Sequence, residues 1–240
     1  MLIGIAGKAQ VGKDTTAIII QGLKMYLDTD TIMAQIKTNQ PFAYSKFEIR
    51  KFADKVKDIT CLLIGCTRSD LEDQSFKETP LGKEWDKYII YNYHIPTPYF
   101  IVDSEEEANE VLSKIHISRR GDYYTQIEYM TPRRLMQLIG TECGRNILHP
   151  QIWVNSLFAE YKMDYKHNWI ISDVRFPNEV NAIKDRKGIL IKINRDTGSF
   201  SDHISETALD EYENWDHVID NNGSIMELIE KIGKLLIKEK

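Results

Sequence analysis

The chain has 240 residues, of which 42% are hydrophobic, and a formal net charge of -5 at pH 7. This length can bury a large core and is consistent with a single domain over residues 1–240, whereas the acidic balance argues against a broad surface for nucleic acid polymers. No signal peptide precedes the first apolar run and no run has membrane-spanning length, so we expect a cytoplasmic protein without a membrane partner.

The chain opens with a short apolar segment followed by a glycine-containing loop. Residues 2–6 are typical of a buried parallel strand, and apolar residues recur at helical spacing from Ala17 to Tyr26. Between them, glycines let the backbone pass close to phosphate oxygens, and the new helix directs free N–H groups at them. The pattern predicts a nucleoside triphosphate site formed by Gly7, Lys8, Val11, Gly12, Lys13, Asp14 and Thr15.

Two features of this loop concern the phosphates and their metal ion. Lys13 carries a mobile charge that can reach the β- and γ-phosphates. Asp14 stands where the usual pattern has serine or threonine, and Thr15 comes one place later. The sequence therefore leaves open whether magnesium is bound by Thr15 or through water.

The next elements alternate between polar and apolar stretches. Residues 28–45 are mixed and polar, which predicts a long connection, and residues 47–53 alternate as a strand does. Asp54 is a candidate cap for the following helix, which Gly65 ends. Residues 66–86 carry scattered charge and are expected at the surface.

Residues 87–129 differ in composition, with many tyrosines, and are interpreted as an insertion that is either a decoration of the core or a functional flap. Within them, residues 104–116 predict an amphipathic helix capped by Ser104 and Glu107. A strong helix then begins at Thr131-Pro132.

The remaining apolar runs predict three more strands, at residues 169–173, 188–193 and 217–219, and a terminal helix capped by Ser224. Strands alternating with helices indicate a doubly wound, mostly parallel α/β sheet with helices on both faces. Ligands of such sheets bind beyond the carboxyl ends of the strands. Cys61, Cys66 and Cys143 lack metal or disulfide spacing and are expected to be reduced thiols.

Polar residues on the helix after Pro132 suggest a second anionic ligand. Arg133 and Gln137 are four apart and share a face, with Thr141 and Arg145 further along. Arginine binds phosphate with a fork of donors and glutamine can pair with a nucleobase edge. The pattern fits a nucleoside monophosphate, although an ordinary solvated helix face remains open.

Asp173 and Arg175 follow a predicted buried strand. An acid in this position orders magnesium or its waters, or accepts a proton, and an arginine neutralises the transferred phosphoryl group. A buried ion pair at the strand end is the alternative.

Several stretches together resemble the deoxynucleoside monophosphate kinases of tailed bacteriophages, a P-loop kinase family. They cover nearly the full length apart from residues 87–129, and they are residues 5–8 with 12–15, 52–57, 131–137 with 140–142 and 144–145, 172–179, and 203–206.

The resemblance implies a P-loop NTPase fold and transfer of the γ-phosphate of ATP to deoxynucleoside monophosphates, with magnesium. It also implies that Gly-Lys-Asp-Thr is this family's form of the loop, and it adds Asp54 to the substrate-binding residues. Residues 195–206 lie where such kinases carry a mobile lid, with Arg195 as its most useful charge. His203 in this segment is expected to be structural. The sequence leaves a homodimer open.

Two other functions remain open at this point. The acceptor in the same fold can be another small phosphorylated metabolite, because phosphomevalonate kinases of the P-loop type share a similar Gly-Lys-Asp loop. A nucleotide-dependent switch is the third hypothesis, with residues 88–129 as its interface, although no glutamine-bearing switch pattern lies near Asp173.

Overall fold

A computed structural model describes residues 1–115, 117–161, 168–196 and 204–238. The chain divides into two compact units, the first comprising residues 1–55 and 149–240 and the second residues 56–148. The strands are β1 Leu2–Ala6, β2 Phe47–Arg50, β3 Lys87–Asn92, β4 Ile95–Val102, β5 Tyr123–Glu128, β6 Asn168–Val174, β7 Ile189–Asn194 and β8 His217–Asp220. The α-helices are α1 Lys13–Lys24, α2 Thr29–Thr38, α3 Asp54–Ile64, α4 Gln74–Glu78, α5 Glu105–Lys114, α6 Pro132–Gln137, α7 Ile152–Phe158, α8 Pro177–Asp185, α9 Ile204–Thr207 and α10 Ile225–Lys238.

The first unit is built on a parallel sheet with strand order β2-β6-β1-β7-β8. β1 lies at its centre, paired with β6 on one side and β7 on the other, and all its residues are buried. Parallel neighbours need crossover connections, which helices provide here. The predicted doubly wound, mostly parallel α/β fold is therefore confirmed.

Alternation along the strands divides the apolar residues of this unit between two faces of the sheet. Ile3 and Ile5 of β1 pack into a core with α1, α2 and α10, while Leu2 and Ala6 pack into a core with α7 and α8. Successive side chains of a strand point to opposite faces, so a strand buried on both sides needs apolar residues at every position. This explains the continuous apolar run of residues 2–6.

The predicted connection over residues 28–45 is wrong, because it contains α2. Asp28 caps this helix by accepting hydrogen bonds from the Thr31 amide at 2.8 Å and from the Thr31 hydroxyl at 2.9 Å. Ile32 is fully buried in the core against α1. The helix forms because tertiary packing of one apolar side outweighs a weakly amphipathic sequence.

β2 is shorter than the predicted strand over residues 47–53 and ends at Arg50. The amides of Phe52 and Ala53 donate to the Asp173 carboxylate, at 2.8 and 2.9 Å, rather than to a neighbouring strand. The chain thus leaves the sheet where a side chain offers its amides an alternative acceptor.

The second unit contains an antiparallel sheet of order β4-β3-β5, formed by residues 87–128, with α5 beside it. Ser104 caps α5 by accepting a hydrogen bond from the Glu107 amide at 3.1 Å, as predicted. The stretch 66–86, expected at the surface, contains α4 and the fully buried Leu71. After α6 the chain continues as a π-helical segment, Leu138–Leu148.

Within the described ranges, no helix combines the length and the apolar character needed to traverse a membrane.

Candidate active site

Two positions of the loop between β1 and α1 require glycine, because their backbone conformation is unfavourable for other residues and a Cβ would meet neighbouring atoms. Gly7 has φ 148° and Gly12 has φ 97°, values that side chains rarely adopt. A Cβ on Gly7 would lie 2.5 Å from the Ile193 carbonyl oxygen, and one on Gly12 would lie 2.6 Å from Nδ2 of Asn221. The loop therefore packs backbone against the ends of β7 and β8, and α1 begins directly after it.

Lys13, the first residue of α1, folds back over this loop. Its Nζ donates to the carbonyl oxygens of Gly7 at 2.7 Å and Lys8 at 2.6 Å. Burial, and then the nearby Arg175 guanidinium, lower the pKa of Lys13 to about 8. The ammonium lies where it can meet the phosphates of a nucleotide bound to the loop.

Asp14 connects α1 to two strand ends. Its carboxylate accepts a hydrogen bond from the Ser172 hydroxyl at 2.7 Å and one from the Lys51 ammonium at 2.9 Å. Burial alone would raise the pKa of Asp14, but Lys51 and Ser172 together lower it below its usual value. The acid in the usual Ser/Thr position is thus ionised and held in place by β6 and by the residue after β2.

Asp173 lies at the carboxyl end of β6 and faces backbone rather than an arginine. Its two oxygens accept the amide hydrogen bonds of Phe52 and Ala53 described above. Burial raises the pKa of this carboxyl, although the two amides and the Arg175 charge favour its ionised form. Asp173 therefore fixes the segment after β2 next to Lys13, whose ammonium senses its charge.

The backbone amide and the guanidinium of Arg175 each donate a hydrogen bond to a glutamate. Its amide donates to Oε2 of the buried Glu179 at 2.8 Å, and its guanidinium Nη1 donates to Oε1 of Glu206 in α9. The other oxygen of Glu206 accepts the amide hydrogen bond of Ala9, in the loop, at 2.7 Å. One carboxylate thus bridges the loop backbone and Arg175.

Four residues of this arrangement were missed as site residues in the sequence, namely Lys51, Ser172, Glu206 and Asn221. Asn221 is buried and its Nδ2 donates to the Val11 carbonyl at 2.9 Å. Ser172 and Glu206 fall in stretches that carry the family resemblance, which was the available signal. Lys51 lies within the predicted strand 47–53 and Asn221 follows the predicted strand 217–219, and no chemical pattern around either residue indicated its role.

A cavity of about 400 Å³ opens beside the loop, at the carboxyl ends of β1, β6 and β7. The Leu209 and Trp215 side chains contribute apolar wall, and Trp215 is fixed by its Nε1 donating to the Tyr212 carbonyl at 2.7 Å. Asn194 and Arg195 add polar groups. The cavity thus combines an apolar wall with charged groups such as Arg175, Lys192 and Glu206, and a concave site of this mixed character suits a small polar molecule.

The predicted lid, residues 195–206, is largely untested. Arg195 is exposed after β7 and lines the cavity. Residues 197–203, which include His203, lie outside the described residues. No group of three or more His, Cys, Asp or Glu residues that could hold a metal ion occurs in the part of the chain that the structure describes.

The residues predicted to bind the acceptor lie in the second unit, except Asp54, which is in the first. Asp54 accepts a hydrogen bond from the Lys51 amide at 2.9 Å. Arg133 and Gln137 both belong to α6, so their predicted four-residue spacing holds in an α-helix. Thr141 and Arg145 instead belong to the π-helical segment, which shifts them from the face expected of a continuous α-helix.

Neighbouring charges distinguish Arg133 from Arg134. Arg134 forms ion pairs with Glu128 at 2.6 Å and Glu142 at 2.8 Å within its unit, whereas Arg133 pairs with Glu78. Burial, followed by the charges of Arg133 and Lys57, lowers the pKa of Lys77. Two cations, Arg133 and Lys57, therefore lie near Lys77, and they pair with Glu78 and Glu72 respectively.

Comparisons with known proteins agree on one family. The sequence model of Deoxynucleotide monophosphate kinase matches residues 1–232. The chain is 28% identical over 226 residues to the deoxynucleoside-5'-monophosphate kinase of Escherichia phage T5, covering 87% of this chain and 85% of the relative. It is 26% identical over 250 residues to the deoxynucleotide monophosphate kinase of Enterobacteria phage T4, covering 98% of each. A shorter match, 37% over 109 residues, relates 43% of this chain to 44% of the Escherichia phage RB69 protein of that name. Because the family model spans almost the whole sequence, the resemblance is confirmed, and the chain belongs to the deoxynucleotide monophosphate kinase family.

Proposed function

We propose that this phosphotransferase binds the triphosphate of ATP in the loop of residues 7–15 and transfers the γ-phosphate to a deoxynucleoside monophosphate. The observation that carries the placement is the Lys13 ammonium, folded over the loop carbonyls and close to Arg175. Backbone amides at a helix start and a mobile lysine are the groups that bind nucleotide phosphates. The comparisons favour this acceptor over another phosphorylated metabolite or a switch function.

The nucleoside part of ATP is placed in the adjoining cavity. Its apolar wall, with Leu209 and Trp215, suits a base, and Asn194 and Arg195 suit the ribose or the outer phosphates. An electron-rich indole is also a surface on which a base can stack. Arg195 lines this cavity and is the first residue of the predicted lid, residues 195–206. We propose that the lid contributes this charge to ATP binding.

Charge neutralisation is the main chemical contribution that the described residues offer. Lys13 and Arg175 supply positive charge, which stabilises the phosphoryl group as it leaves ADP for the acceptor oxygen. Asp14 ties α1, the helix that carries Lys13, to Ser172 of β6, and Asp173 fixes the backbone that follows β2. Phosphoryl transfer depends mostly on such positioning.

We propose that magnesium would be held near the loop by oxygen donors of α1 and β6. Thr15 contributes a hydroxyl, and each carboxylate oxygen of Asp173 accepts one amide and keeps further acceptor capacity. Magnesium prefers such hard oxygen ligands with retained waters. Thr15 and Asp173 are thus the residues that would hold it, and the bound ion would neutralise charge on the β- and γ-phosphates.

The acceptor phosphate is assigned to the second unit, at Arg133, with Lys77 and Lys57 adding positive charge. Gln137 and Thr141 are proposed to contact the nucleoside, with Arg145 as a second phosphate contact and Asp54 as a further substrate residue of the first unit. The support for this assignment is the cluster of Arg133, Lys57 and Lys77, a group of cations that already attracts the carboxylates of Glu72 and Glu78. We propose that this action takes place in the cytoplasm of an infected host, a proposal supported by the phage origin of the relatives.

The test is direct conversion of monophosphates by the purified protein. ATP is incubated with each of the common deoxynucleoside monophosphates, and diphosphate formation is measured. Lys13→Ala should lower kcat/KM by about 100-fold or more, because it removes a charge at the transferred group, whereas Lys37→Ala, an exposed lysine of α2, should not. Absence of product with every acceptor would refute the proposed reaction.

A further inference from the structure

The loop donors described above already hold an anion supplied by the chain itself. Glu206 lies 197 positions from Ala9, yet its Oε2 accepts the Ala9 amide hydrogen bond at 2.7 Å. Its Oε1 accepts from the guanidinium of Arg175, and its side chain is only 11% exposed. The Lys13 ammonium also senses its negative charge.

These three partners are the kinds of group that bind phosphate. A loop amide, an arginine and a lysine each prefer a charged oxygen, and a carboxylate presents two such oxygens as a phosphate does. The second acid of the segment differs, because Asp210 pairs with the Lys8 side chain at 3.3 Å and both of these side chains are about half exposed. Such a surface pair contributes little, so Glu206 is the residue that carries the anionic contact.

We propose that Glu206 is an internal phosphate mimic that ATP must displace, so that this residue lowers the affinity of the enzyme for its phosphate donor. This inference rests on ATP binding in the loop, as proposed above. Glu206 and a nucleotide phosphate cannot share the Ala9 amide and Arg175 at short range without strong repulsion between their charges. Free protein therefore divides between a form with Glu206 on the loop and a form open to ATP, and the apparent Kd rises by the inverse of the open fraction.

The mimic also gives the loop a way to satisfy its donors without a ligand. The Ala9 amide is half-buried, and leaving a partly buried donor without an acceptor is costly. ATP, with three linked phosphates, makes enough contacts to replace the carboxylate, whereas a single inorganic phosphate makes fewer. Glu206 thus favours polyphosphate ligands over the simple anions of the cell.

The test compares nucleotide binding by the full chain and two matched variants, using calorimetry without magnesium. Glu206→Gln keeps the size of the side chain and an acceptor for Ala9 but loses the charge that holds Arg175 and repels phosphate. Glu211→Gln removes the same charge from an exposed position of the same segment. The probes are ATP and inorganic tripolyphosphate, and the second isolates phosphate contacts from those of the nucleoside.

Glu206→Gln should bind both probes about tenfold more tightly, equivalent to about 1.4 kcal/mol, while Glu211→Gln stays within about twofold of the wild type. Unchanged or weaker binding to Glu206→Gln would overturn the proposal, as would tightening for ATP but not for tripolyphosphate. If Glu206→Gln unfolds more readily, tripolyphosphate should raise its Tm more than that of the wild type, and an equal or smaller rise would also overturn it. Lys13→Ala separates the two hypotheses, because undiminished ATP binding there contradicts the loop placement itself.

Discussion

Replacing Asn221 by alanine removes the hydrogen bond that its Nδ2 donates to the Val11 carbonyl at 2.9 Å. Both residues are buried, so the Val11 oxygen would be left without its partner away from water. Such a loss costs about 1–3 kcal/mol. If the free energy of unfolding falls by about 2 kcal/mol, the Tm of a chain of this size should fall by about 4–8 °C. The same change frees the loop next to Gly12, so the KM for ATP should rise more than kcat falls.

Two measurements test this reasoning about Asn221. Thermal unfolding gives the stability, and steady-state kinetics at varied ATP separates KM from kcat. Asn155→Ala is the control, because Asn155 is an exposed residue of α7, and it should change stability by less than about 0.5 kcal/mol and leave the KM for ATP unchanged. If Asn221→Ala melted within about 1 °C of the wild type and kept its KM for ATP, the buried bond would not support the loop, and the role assigned to Asn221 would be wrong.

Two further outcomes follow from the charges of the two units. The pKa of Lys13 is about 8 in the free protein, and bound phosphate favours its charged form, so the affinity for ATP should fall as pH rises above about 8. Binding titrations from pH 7 to 9.5, about 2.5 pH units that span this pKa, check the prediction. The Lys13→Arg variant stays charged over this range, so its affinity for ATP should not fall. A parallel fall in affinity in that variant would contradict the assignment. Arg133→Ala should mainly raise the KM for the monophosphate, whereas Arg134→Ala should lower stability by about 1–3 kcal/mol with little change in KM, since it breaks ion pairs with Glu128 and Glu142. Kinetics and thermal unfolding of the two variants decide this, and an unchanged KM in Arg133→Ala would remove Arg133 from the acceptor site.

Local sequence was sufficient for the elements whose pattern is strong. The all-apolar β1 and the glycines that flank the loop required a buried strand and a tight turn, because chain conformation over a few residues depends on their own side chains. The helix caps at Ser104 and Thr131 were predictable for the same reason. Segments with a weak amphipathic pattern were not predictable from local sequence, and α2 and the π-helical segment after Gln137 are the two examples.

The contacts around the loop were decided by tertiary structure alone. Ser172 reaches Asp14 across 158 positions and Glu206 reaches Ala9 across 197, because strand order places β6 and β7 beside β1. Register then fixes which side chains meet at the carboxyl edge. A sequence can show that Lys13 suits phosphate, since that depends on its neighbours in the chain. It cannot show that a distant glutamate occupies the same donors, because such a pairing exists only after the sheet has brought both segments together.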